Sequence, residues 1–121
     1  FMDTGRKPSD YDIIATGDLG IIGREFTEKL LLEYKYDMKG HYIDCGEEIF
    51  DENKQGTNAG GSGCGCSAVV ATGYLLKNMI KGKFKRILLV STGALLNPTS
   101  SLQGETIPGI AHAVSIEFGG E

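Results

Sequence analysis

The segment Gly60-Gly61-Ser62-Gly63-Cys64-Gly65-Cys66-Ser67 concentrates backbone freedom, hydroxyls and thiols in one short stretch. Three chemistries suit it. The first is phosphate binding, because the spacing follows G-x-x-x-x-G-K-[ST]; yet Cys66 stands where the phosphate-reaching lysine belongs. The second is metal ligation by His41, Cys45, Cys64 and Cys66, although a C-x-C pair is not the usual C-x2-C knuckle. The third is structural. Small residues at a helix start allow close backbone approach, and the free N–H groups there make a natural anion site. A second segment, Gly17-Asp18-Leu19-Gly20-Ile21-Ile22-Gly23, reads G-x-x-G-x-x-G rather than the dinucleotide G-x-G-x-x-G. Asp18 there is either a helix N-cap or a group pointing into a crevice at a strand's carboxyl end. His112 lies between alanines in an alternating run, a pattern that favours a satisfied core histidine over a catalytic one. A Ser-His-Asp hydrolase has no support, for there is no G-x-S-x-G elbow.

The elements that must position these residues follow from periodicity. Residues 11–16, Tyr-Asp-Ile-Ile-Ala-Thr, read as a strand closed by turn residues. From 23 to 35, Phe26, Leu30, Leu31 and Tyr34 recur at helical spacing. Residues 42–46 suggest a short strand, and 51–55 are polar and exposed. A helix starts inside the glycine segment and runs to about Ile80. It is small or apolar on nearly every side, the pattern of a buried helix. Lys77, Lys81, Lys83, Lys85 and Arg86 gather at its end, where cations complement the helix dipole. Residues 86–91 are apolar without alternation, as in a strand covered on both faces. A loop spans 93–108, and 110–117 alternate as a last strand. The expected class is α/β: a layered fold, a mixed sheet with flanking helices and one buried, glycine-led helix.

Composition narrows the function classes. The chain has 121 residues, 40% of them hydrophobic, enough for one domain with its own core. Glycine, at 18 residues, is far above ordinary usage but follows no triplet period, so a collagen-like reading fails. A net charge of −4 argues against a nucleic-acid partner. No apolar run approaches a membrane span. Three cysteines without a disulfide pattern suggest a reduced, intracellular setting. Phe1 and the loop-like residues after it suggest a piece of a longer protein.

Taken together, three segments carry a resemblance. They are Thr16-Gly17-Asp18-Leu19-Gly20, then Ala59-Gly60-Gly61-Ser62-Gly63-Cys64-Gly65-Cys66-Ser67-Ala68-Val69-Val70, then Thr92-Gly93-Ala94-Leu95-Leu96 leading to Gly109-Ile110-Ala111-His112-Ala113-Val114. The chain resembles the C-terminal half of thiolase-like proteins, and within them the stage V sporulation AD family. That resemblance implies half of a duplicated, layered α/β protein that is a dimer when complete. It implies a family role in spore formation: binding dipicolinic acid, with calcium as a candidate companion, and supporting its uptake alongside other stage V sporulation membrane proteins. The implied location is the sporulating cell or forespore, peripheral to the spore inner membrane.

The resemblance also marks departures. Ser62 stands where thiolases carry a histidine base, and serine is no base near neutral pH. Ser91-Thr92-Gly93 stands where thiolases carry Cys-x-Gly, and Asp18 where they carry asparagine or histidine. The family's nucleophilic cysteine belongs to the N-terminal half. The implied protein is therefore non-catalytic, with no catalytic residue and no cofactor in this half. Its candidate ligand-binding residues are Asp18, Asn58, Ser62, Gly63, Ser91, Thr92 and His112. The alternative is an acyl-CoA thiolase or ketoacyl synthase whose nucleophile lies elsewhere.

Overall fold

The computed structural model describes residues 1–60, 63–94 and 97–119. Four strands form one sheet in the order β2-β1-β3-β4. They are β1 (Ile13–Thr16), β2 (Tyr42–Asp44), β3 (Arg86–Ala94) and β4 (Gly109–Glu117). β1 pairs in parallel with both β2 and β3, and β4 runs antiparallel to β3 with Leu89 opposite Val114. The sheet is mixed and flanked by helices, as the sequence indicates. The helices are α1 (Gly20–Glu33), α2 (Cys45–Glu48), α3 (Glu52–Gln55), α4 (Cys66–Val70), α5 (Leu76–Ile80) and α6 (Pro98–Leu102), with a π-helical turn (Ala71–Leu75) joining α4 to α5.

Strand alternation sends successive side chains to opposite faces, and each face has its own core. Ala15 and Ile87 join Cys45, Cys66, Val70, Leu75, Met79 and Phe84 under the helical run 66–80. Ile14 and Tyr42 join Tyr11 and Met38 on the other face, with Leu31 of α1 and Phe1 packed against them. Along the helical run Cys66, Val70, Leu75 and Met79 are buried at steps of four, five and four, with Ala71 buried beside Val70. The π turn supplies the extra residue in the middle step and so keeps one stripe on the sheet.

Several sequence expectations change here. The helical run is not enclosed: Val69 and Tyr74 are exposed, and Ile80 more so. Its all-round apolar composition describes the residues correctly but not their burial in this chain. β3 is covered most fully at Ile87 and opens to solvent toward Ala94. β4 alternates in sequence, yet all but Ile116 of it is exposed. His112 is therefore not a core histidine. Helix α1 begins three residues earlier than its apolar spacing suggests, because its first turn is fixed by tertiary bonds rather than by side-chain periodicity. The loop expected over 93–108 contains α6, capped by the Asn97 side chain accepting from the Thr99 N–H.

Candidate functional site

From β1 the chain passes to β2 on one side, and later returns to β3 on the other. In open α/β sheets this reversal leaves a crevice outside the carboxyl end of the central strand. A crevice of about 410 Å³ lies there. It is lined by Asp18 and Leu19 after β1, Thr92–Ala94 at the end of β3, and Gly109–Ala111 at the start of β4.

Asp18 is the charged group of this crevice. It is not an N-cap: Leu19 holds that position, and its own side chain makes no capping bond. Its Oδ2 accepts a hydrogen bond from the Gly63 N–H at 2.8 Å, and its own N–H donates to Thr92 Oγ1 at 3.2 Å. One residue thus ties the β1–α1 turn to the glycine segment and to β3.

Beneath Asp18 lies a residue that sequence reasoning missed. Asp44 is fully buried at the end of β2. Its Oδ2 accepts from Thr16 Oγ1 at 2.6 Å and from the Leu19 N–H at 3.0 Å. Its Oδ1 accepts from the Gly20 N–H at 2.8 Å and the Gly46 N–H at 3.0 Å. The Tyr42 hydroxyl lies 2.9 Å from Thr16 Oγ1. Thr16 gives its single proton to Asp44, so Tyr42 donates to Thr16, and the three side chains form a relay. Four donors compensate a buried carboxyl that makes no ion pair among the described residues. The available sequence signal was Asp44-Cys45-Gly46, an Asp-x-Gly pattern typical of a side chain bonding its own backbone two residues on.

Two glycines let these loops meet. A Cβ on Gly46 would sit 2.1 Å from Asp18 Oδ1. Gly20 has φ +68°, and a Cβ there would sit 2.2 Å from the Ala59 carbonyl oxygen, which accepts from the Ile21 N–H. The first donors of α1 are therefore consumed internally by Asp44 and Ala59. The Gly63 N–H, expected from the sequence to serve a ligand, is given to Asp18.

The remaining sequence candidates separate. Thr92 lines the crevice with Asp18. Ser91 and His112 face each other across β3 and β4, on the opposite sheet face, and both are exposed. Asn58 is an exposed turn residue with φ 54°. Ser62 lies outside the described residues. Among the described residues no three His, Cys, Asp or Glu side chains converge as a metal site. Cys45 and Cys66 are buried in one core cluster, and Cys64 is exposed. Burial, with the neighbouring Cys66 next in weight, pushes the Cys45 thiol up to about 12, so it is not a thiolate nucleophile at neutral pH.

The family described as Stage V sporulation protein AD matches residues 1–117. The chain belongs to this family. It is 45% identical over 120 residues to Stage V sporulation protein AD of Bacillus subtilis (strain 168). That alignment covers 99% of this chain and 35% of the relative, so the chain spans about a third of the relative's length. Among the described residues no helix is long and apolar enough to cross a membrane. The family assignment puts the Asp18–Thr92 crevice in a sporulation protein.

Proposed function

We propose that the crevice at the ends of β1 and β3 forms part of a binding site for dipicolinic acid, in a non-catalytic, thiolase-like protein that supports its uptake into the developing spore. The observation that carries this reading is the crevice at the strand-order reversal in a chain of the Stage V sporulation protein AD family. Its size falls in the range of small-molecule sites, and its lining is mostly small or apolar with a few polar groups. Thr92 is a neutral hydroxyl on its wall, and Asp18 is an acidic one.

Asp18 sets a condition on the ligand. A dianion entering alone meets a like charge, and that repulsion strengthens as water leaves the site. A calcium ion carried with dipicolinate removes the conflict, since carboxylate oxygens are its ordinary ligands. Cationic partners for the ligand would come from the part of the protein beyond this chain. Acyl transfer is the less favoured reading: Ser91 stands where the resemblance implies a thiol, Ser62 where it implies a histidine base, and Cys45 is held protonated.

Calorimetric titration of the full-length protein with dipicolinate, with and without calcium, tests the reading. Binding that strengthens with calcium, and weakens about tenfold or more in Thr92→Ala, is the expected result. No heat from the full-length protein under either condition overturns it. A covalent acyl-protein formed from acetyl-CoA, seen by mass spectrometry, would favour the enzyme instead.

A further inference from the structure

The opposite end of the sheet carries a second concavity of about 360 Å³. It lies before β1 and β2 rather than after them. Lys7, Lys35, Lys39, Tyr36 and His41 line it, with Asp37 as its carboxylate. The three lysines come from separate stretches: Lys7 from the coil before β1, Lys35 from the end of α1, and Lys39 from the turn into β2. All three are exposed, and among the described residues none makes an ion pair. Asp37, whose Oδ1 accepts from the Lys39 backbone N–H at 3.0 Å, is one carboxylate against three lysines in the lining. The groove is thus a net positive patch on a chain of net charge −4.

Two further observations separate it from an ordinary solvated helix end. The first is Lys35 itself. The Tyr36 N–H bonds the Leu31 carbonyl and the Lys35 N–H bonds the Leu32 carbonyl, which is the Schellman closure of α1. That closure puts Lys35 at φ 65°, the left-handed position that glycine normally fills. Lysine is less stable there than the glycine that the position favours, so its presence is not required by the helix end itself. The second is His41, whose Nδ1 is shut from solvent with no hydrogen-bond partner among the described residues.

We propose that this groove binds a phosphate-type anion, borne either by a small phosphorylated molecule or by a lipid head group. Three lysines lining one concavity without ion pairs suit a multiply charged, compact anion, because each ammonium is a rotatable donor and an anion between them offsets their like charge. The site is independent of the dipicolinate reading, being at the other pole of the sheet and sharing none of its residues.

Lysine footprinting of the full-length protein reads it directly. With inorganic pyrophosphate as the probe, acylation of Lys7, Lys35 and Lys39 should slow by about fivefold or more, while Lys77, Lys81 and Lys83 keep their rates. Equal slowing of all lysines means diffuse attraction and overturns the site. Vesicles of phosphatidylcholine with and without phosphatidylglycerol separate the two sources. Protection only by phosphatidylglycerol vesicles assigns a lipid head, and protection by pyrophosphate without vesicle binding assigns a small molecule. Protection by neither overturns the proposal. Lys35→Gly guards against misfolding, because it relieves the left-handed strain and should raise the melting temperature by a few degrees while weakening pyrophosphate protection of Lys7 and Lys39. A stabilised variant that still protects them fully would show Lys35 to be a helix cap and nothing more, and would overturn its role here.

Discussion

At the scale of single residues, this chain uses carboxylates as organisers of backbone. Asp12 is exposed, yet its Oδ2 accepts from the Lys85 N–H at 2.6 Å and the Arg86 N–H at 2.8 Å, which pins the entry of β3 beside β1. Those backbone donors, Arg86 first and Lys85 second, hold the Asp12 carboxyl below its ordinary value. A carboxyl lowered on folding adds stability that is fully present above its unfolded value, near ~3.9, and is lost as pH falls through the folded value. Asp12→Asn should therefore be less stable than the parent at pH 6 and lose less stability on acidification to pH 2. Denaturant midpoints across that range check it; parallel curves for the two proteins would remove Asp12 from the account. Asp18 was legible in the sequence as a polar residue just after a strand, although its partner Gly63, 45 positions away, was not. Asp44 read as a strand residue, because three of its four donors come from β1 and the α1 turn and meet it only in three dimensions.

At the scale of elements, the crevice depends on three loops being locked together, and the lock is Asp44 with the two glycines it serves. Asp44→Ala leaves the Thr16 hydroxyl and the Leu19, Gly20 and Gly46 N–H groups without their acceptor, and should cost about 3 kcal/mol or more. Gly20→Ala should cost a similar amount, about 3 kcal/mol, from left-handed strain and the clash with Ala59 together. Urea unfolding measures both, and a loss below about 1 kcal/mol in either would mean that the loops relax around the change. The strands and the two long helical stretches were legible because apolar periodicity encodes them. What was not legible is where a helix begins once tertiary bonds fix its first turn, as at Gly20, and where a face meets water. The π turn shows the second limit well. Residues 68–79 are apolar or small on nearly every side, and a step of five between Val70 and Leu75 decides which stripe is buried. No count of apolar residues reveals that step.

At the scale of the whole molecule, the apolar surface is unevenly distributed. Ile110, Val114 and Phe118 of β4 and its exit are more than half exposed, and so is Val69 of the helical run. β4 lies at the edge of the sheet, with its outer backbone groups unpaired within it. A soluble monomer seldom leaves a large contiguous apolar patch or a long flat strand edge open. The chain spans about a third of the relative it matches, and a protein of the relative's full length would hold additional chain able to cover part of this surface. The expectation follows from burial alone. A protein of these 121 residues should bind a hydrophobic dye such as ANS strongly while retaining its far-ultraviolet dichroism, and should elute as mixed oligomers at high concentration. The full-length protein should give several times less dye fluorescence per mole. Val114→Lys tests the location, since a charge on an open strand edge blocks edge pairing and should lower both dye binding and association of the 121-residue form. Equal dye binding by the two lengths would place the apolar surface outside any covered interface and leave β4 as a free edge in the complete protein.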